Sequence, residues 1–189
     1  MAFLRITYWA GIVFTALTVW CGSACAQNIE LKNLILDNEK GEIQLRFGIN
    51  VNKMQELQQY LQEDGYTLRL RCRAELLKTR TLWWDESLGE NEVVFDLSCN
   101  QLSQQYILHN VSESGKATSE DLEKILRKHW RHLTILLGKW RNLTKRENYA
   151  VELDVTLRRA NVPMWLRKAL FFWSWDVVSS RRYRMDFTY

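Results

Sequence analysis

Apolar and polar residues alternate along a long stretch of the chain, from Tyr66 to Leu108. A period of two residues is typical of a strand with one buried face and one face in water. The alternating apolar residues in the first half are Leu68, Leu70, Cys72, Ala74 and Leu76, and those in the second half are Val93, Phe95, Leu97 and Cys99. The turn-forming stretch between the halves, Asp85 to Asn91, therefore predicts a β-hairpin.

The same alternation predicts further strands on both sides of this hairpin, over residues 28–37, 42–51, 149–157 and 181–189. Apolar residues spaced three and four apart predict a helix over 52–63 and a longer one from Thr118 to about Trp140. These elements favour an α+β fold, mainly β. We expect about seven antiparallel strands in a sandwich-like or curved sheet, with two packed helices.

The first 26 residues have the pattern of an export signal. Arg5 precedes an apolar run, and Ala24-Cys25-Ala26 matches a cleavage site with small residues. We expect cleavage after Ala26, export to the periplasm, and a single domain over residues 27–189. The apolar run is shorter than the roughly 20 residues that span a bilayer. An uncleaved anchor and a lipid-modified Cys25 are the alternatives.

If the hairpin folds at the start of its predicted turn, Cys72 faces Cys99 on the apolar side. Two facing thiols in an exported chain are a candidate disulfide, and its loop would contribute about 3–4 kcal/mol. The alternatives are two small buried thiols or a slipped register. The same register sets Glu75 opposite Asp96, which is an unfavourable pair of like charges.

The distribution of charge indicates a candidate surface but does not identify a class of ligand. The formal net charge is +4, and it falls to +3 without the signal, so a polyanionic partner has weak support and nucleic acid is implausible for an exported chain. Three arginines share the polar face of the first hairpin strand: Arg69, Arg71 and Arg73. Together with Arg46, they fit anionic lipid, cell-wall polymer or an acidic protein. The alternative is an ordinary solvent-exposed face on which Glu75 and Asp96 balance the arginines.

Tryptophans mark two further candidate surfaces. Trp83 and Trp84 are neighbours at the end of a predicted strand, so one ring should point inward and the other outward as a contact. Packing on the long helix is the alternative. Trp165 and Trp173 belong to an aromatic segment that also contains basic residues, a composition that suits a bilayer surface or a lid over the core.

No catalytic or metal-binding motif is found. His129 and His132 lie three apart in the predicted long helix, but a zinc site needs three or four ligands. His109 has no nucleophile motif to work with, and Asp85 and Glu86 fall in a predicted turn. Phosphate-loop and dinucleotide fingerprints are also absent from the sequence. We therefore predict a protein that is not an enzyme and binds no metal or cofactor.

Three ordered stretches give the chain a family resemblance. The first is Trp83-Trp84-Asp85-Glu86 after the arginine-alternating strand, and the second is Leu102-Ser103-Gln104-Gln105-Tyr106, with glutamine in place of the family's usual arginine. The third combines Val162-Pro163, Leu166-Arg167 and Trp175-Asp176-Val177-Val178-Ser179, with Met164-Trp165 where the family often has a second proline. Across nearly all of residues 27–189 the chain resembles small exported proteobacterial proteins known as domain of unknown function 4390.

The resemblance implies no established activity. Genes of this family often lie beside a membrane sensor kinase of the nitrogen-regulation type, which implies a role in envelope sensing. We expect a periplasmic binding or accessory domain that acts through a protein or envelope partner. The alternative is a peripheral membrane protein that uses residues 162–175.

Overall fold

A computed structural model describes residues 29–62, 66–160 and 176–189. The predicted export signal, the predicted cleavage point and the aromatic segment with Trp165 and Trp173 lie outside the described residues. The described residues form nine strands and two short helices. They are β1 (Ile29–Glu39), β2 (Glu42–Val51), α1 (Met54–Gln62), β3 (Leu68–Lys78), β4 (Glu86–Asn100), β5 (Gln105–Asn110), β6 (Gly115–Ser119), α2 (Leu122–Trp130), β7 (Leu133–Lys139), β8 (Asn148–Arg159) and β9 (Asp176–Thr188).

The strands form two antiparallel sheets. The smaller sheet has the order β1-β2-β7, and the larger has the order β6-β5-β4-β3-β8-β9. Strand β3 pairs along its whole length with β4 on one side and β8 on the other. The predicted fold class, α+β and mainly β with antiparallel strands, is confirmed. The second hairpin arm, predicted to run to Leu108, is divided by a turn at residues 101–104 into β4 and β5, and the sequence pattern did not predict β6 and β7.

The core lies between the inner faces of the two sheets. The alternating residues of β3 face inward as predicted, and each of them is buried. They belong to one buried cluster with the inward residues of β2, of which Ile43 and Leu45 are fully buried. The helices close the core with Leu57 and Leu61 of α1 and with Trp130 of α2. The polar residues of β3 are thereby left on the outer face of the larger sheet.

The predicted long helix from Thr118 to Trp140 is wrong. Helix α2 starts after Asp121, whose carboxylate accepts a hydrogen bond from the Lys124 amide at 3.0 Å, and it ends at Trp130. Residues 133–139 instead form β7, which pairs with β2. Leu133, Ile135 and Leu137 are buried on one side of that strand. Their spacing suits a strand, and pairing with β2 satisfies their backbone groups.

The predicted hairpin exists, but its turn and register are different. The turn spans residues 79–85, and β4 begins at Glu86 rather than after Asn91. Gly89 explains the difference, because a Cβ atom there would lie 2.2 Å from the carbonyl oxygen of Leu137 in β7. The glycine therefore lets two strands approach closely and does not form a turn.

This register overturns the predicted disulfide. Cys72 lies opposite Val93, and Cys99 lies opposite Tyr106 of the next strand. Cys99 is thus six residues beyond the partner of Cys72, or about 20 Å along the strand. A disulfide needs Cα atoms within about 7 Å. Both cysteines are free thiols, and the burial of Cys72 raises its pKa far above the usual range.

Candidate functional site

The loop that joins β3 to β4, residues 79–85, is fixed at both ends. The Thr79 amide donates a hydrogen bond to the carbonyl oxygen of Asn148 at 3.0 Å. At the other end, Asp85 accepts hydrogen bonds from the Arg80 amide at 3.2 Å and from the Arg184 guanidinium at 3.0 Å. These two bonds hold the pKa of Asp85 below its ordinary value, the bond from Arg184 more strongly. We call residues 79–85 the docking loop.

The docking loop exposes three large apolar side chains in a row. Leu82, Trp83 and Trp84 have exposed fractions of 88%, 77% and 90%. The prediction that one of the two tryptophan rings points inward is wrong, because both rings lie in the turn and not in a strand. Sequence reasoning missed Leu82. The sequence did contain a signal for this residue, because three consecutive bulky apolar residues interrupt the alternating pattern.

Basic side chains lie on segments at the same end of the molecule as the docking loop. The loop between β7 and β8 lies beside it, since Lys78 pairs with Glu147 at 3.3 Å. The β1–β2 turn lies there too, because the Trp140 amide donates to the carbonyl oxygen of Gly41 at 3.0 Å. These segments expose five cations that have no ion-pair partner among the described residues, namely Lys40, Lys139, Arg141, Lys145 and Arg146. We call this set the basic rim.

The loop that contributes most of the basic rim is held in place by aromatic residues. The Tyr149 hydroxyl accepts a hydrogen bond from the Thr144 amide at 2.8 Å and donates one to the Thr144 carbonyl oxygen at 3.3 Å. Trp140 packs against Phe187, with ring centroids 6.2 Å apart, and against Tyr189 at 5.3 Å. The basic residues are therefore carried on an anchored loop.

The predicted arginine surface is real, but its charges are matched. Its three residues are exposed on β3, and each pairs with an acid of β4: Arg69 with Asp96 at 2.7 Å, Arg71 with Glu92 at 2.6 Å, and Arg73 with Glu90. The bond from Arg73 lowers the pKa of Glu90. Arg46 is not adjacent to them, because it lies in the other sheet and pairs with Asp37. This surface has little excess positive charge.

A depression of about 330 Å³ lies on the same outer face, between β3 and β8. It is lined by the three arginines of β3 together with Arg158, Arg159 and Asp154. Because the β3 arginines already bind carboxylates, an anion entering here would compete with existing ion pairs. The cations of the basic rim, by contrast, have no ion-pair partner within the part of the chain that the structure describes.

The structure separates the histidines that the sequence placed together. His129 is in α2, and burial together with the nearby Lys128 lowers its pKa. His132 follows the helix, just before β7. His109 lies on β5 opposite Asp96. In the described part of the chain, no three His, Cys, Asp or Glu side chains are grouped closely enough to bind a metal ion.

None of the helices in the described ranges is long and apolar enough to cross a bilayer. The fold and site define a two-sheet antiparallel β domain whose protruding apolar loop lies at the same end as cations without ion-pair partners among the described residues. The chain belongs to the family described as domain of unknown function (DUF4390), whose model matches residues 26–186. This confirms the resemblance found in the sequence. No curated protein and no solved structure matches the chain.

Proposed function

We propose that this protein is a non-enzymatic docking protein of the cell envelope and that the docking loop is its contact element. The observation that carries the proposal is the exposure of Leu82, Trp83 and Trp84 side by side. Contiguous apolar surface in contact with water typically marks an interaction site. Tryptophan is also the residue type most enriched among the side chains that dominate binding energy.

The anchoring of the loop supports the same proposal. A loop whose ends are fixed by Asn148 and Arg184 presents its apolar side chains with less conformational freedom than an unconstrained loop. Less entropy is then lost when a partner orders those side chains. Docking through a preformed element requires no catalytic group, which agrees with the absence of catalytic motifs in the sequence.

Site-specific photocrosslinking in cells tests this proposal. A photoreactive phenylalanine derivative replaces Trp84, and the matched control carries it at Leu102, a residue with an exposed fraction of 99% in the β4–β5 turn. Adducts to protein and to lipid are both recorded after irradiation. We expect adducts at position 84 well above those at position 102. Equal yields at the two positions would contradict a docking role for the loop.

Location in the envelope is part of the proposal and is tested separately. The sequence pattern before Gln27 supports export with cleavage after Ala26. The intact mass of the protein released from the periplasm should match residues 27–189. Recovery of the uncleaved chain from the cytosol would contradict envelope docking, even if the loop bound a partner there.

A further inference from the structure

We infer that the partner of the docking loop is the surface of an anionic lipid bilayer. This inference rests on the proposed docking function and specifies its partner. It combines two features at one end of the molecule, the exposed apolar tip of the docking loop and the basic rim. The sequence marked Trp83 and Trp84 as a candidate surface, but the basic rim was not evident from it, because the residues of the rim come from two separate segments of the chain.

The shape of the loop favours a bilayer over a groove on a protein. Leu82, Trp83 and Trp84 project together from a turn. Tryptophan prefers the boundary between lipid headgroups and acyl chains, where its ring is apolar and its N–H group stays hydrated. A protruding tip of this composition can insert at that boundary while its polar anchor, Asp85, remains bound to Arg184.

The charge around the loop favours anionic lipid. Three acids of this region, Asp85, Glu86 and Glu147, are already paired with cations. Three more acids are not matched one to one: Glu39 and Glu42 lie at the β1–β2 turn, and Asp186 shares Arg184 with Asp85. The five cations of the basic rim still outnumber them. Basic side chains near a membrane are attracted by the negative potential of its anionic lipids.

The arginine surface differs from the basic rim because its charges are already paired. On the outer face of the larger sheet, Arg69, Arg71 and Arg73 each bind a carboxylate of the same sheet. An anionic surface gains little from cations that are already neutralised. Lys145 and Arg146 have no ion-pair partner among the described residues, and they therefore remain available to phosphate groups.

Vesicle flotation tests the inference. The protein isolated from the cell envelope is mixed with vesicles of phosphatidylcholine alone or of phosphatidylcholine with an equal part of phosphatidylglycerol. We expect it to float with the anionic vesicles and to remain mostly unbound with the neutral ones. Added salt should reduce flotation, because the electrostatic part of the attraction is screened within a Debye length.

Two double substitutions and one single control substitution separate the apolar and the electrostatic contributions. Trp83→Ser with Trp84→Ser should lower partitioning into anionic vesicles by about tenfold or more. Lys145→Gln with Arg146→Gln should lower it by about 25-fold at low salt, since each basic side chain near such a surface contributes roughly fivefold. Neither change should affect the thermal midpoint, because the altered side chains are exposed. Leu102→Ser, at the opposite end of β4, is the control and should float like the wild type.

The outcomes distinguish this inference from the docking function itself. Crosslinks from position 84 to a protein, without flotation, would overturn the bilayer while the docking function stands. Two other results would also overturn it. One is that the variant without both tryptophans floats as well as the wild type, and the other is that the wild type floats equally with neutral and anionic vesicles. Failure of both flotation and crosslinking would remove the docking function as well.

Discussion

Arg69 lies directly across the β3–β4 ladder from Asp96, and its guanidinium donates one hydrogen bond to each carboxylate oxygen, both at 2.7 Å. Two parallel bonds fix the orientation of both side chains. The bonds to Asp96 are the main reason that the pKa of Arg69 is raised. The pair therefore marks the observed register of the hairpin, in which Cys72 faces Val93.

Replacing Arg69 by lysine tests the contribution of this geometry. Lysine keeps the charge but cannot form two parallel hydrogen bonds, so we expect Arg69→Lys to lower the free energy of unfolding by about 0.5–1 kcal/mol. Urea denaturation measures the change. The control is Arg127→Lys in α2, whose pair with Glu123 spans 3.3 Å and is exposed; its effect should stay within about 0.3 kcal/mol. Equal losses would mean that the paired geometry contributes nothing.

Gly89 provides a test of the contact between the two sheets. Alanine at this position would place a methyl group against the backbone of Leu137, and backbone cannot move aside as a flexible side chain can. We expect Gly89→Ala to lower the free energy of unfolding by about 2–3 kcal/mol. Gly115→Ala is the matched control, because its nearest neighbour would be 3.9 Å away. If the two variants unfold at the same urea concentration, the close approach is absent in solution.

Acid should loosen the docking loop through Asp85. A carboxyl group whose pKa is lower in the folded state stabilises the fold above its ordinary pKa of about 3.9, and this stabilisation is lost as the pH falls through the folded-state value. Hydrogen exchange at the Arg80 amide, which donates to Asp85, should therefore speed up below about pH 4 beyond its intrinsic change. In Asp85→Asn, exchange should be faster already at neutral pH and should lack this acid-dependent step.

The two cysteines should react at very different rates. Cys72 is fully buried and its pKa is strongly raised by burial, whereas Cys99 is half-buried. Because the thiolate is the reactive form, a thiol reagent should modify Cys99 first and reach Cys72 only when the protein unfolds. Peptide mapping by mass spectrometry, without reduction, distinguishes the two sites. A peptide pair linked through Cys72 and Cys99 would contradict the observed register.

The sequence was informative wherever burial alone decides the structure. Leu68, Leu70 and Leu76 alternate with charged residues, and a strand with one wet face is the arrangement that separates them. The same reasoning placed β2 at its observed bounds, Glu42–Val51. These local patterns fixed the fold class because a strongly two-faced sheet has to bury one side.

The predictions failed where contacts with a distant part of the chain determine the local structure. Gly89 has the composition of a turn, but the close approach of β7 sets its role, and that strand lies far along the chain. Leu133 and Leu137 fit a helical period as well as a strand, and pairing with β2 decides between them. The misplaced turn also led to the wrong prediction for the docking loop. Because the observed turn lies at residues 79–85, both tryptophans are in solvent. The basic rim, assembled from separate segments, required the tertiary structure.

The position of β3 between β4 and β8 bears on the order in which the chain can acquire its structure. The β4 partner is available almost at once, but β8 pairs Lys78 with Tyr149 and Leu68 with Arg159, a separation of 71 to 91 residues. A growing polypeptide that has not yet reached Arg159 leaves one hydrogen-bonding edge of its central strand open. Long-range pairing of this kind slows folding. We therefore expect the central sheet to be completed only after Arg159 has been synthesised, which would keep the chain extended for longer, as the proposed export requires.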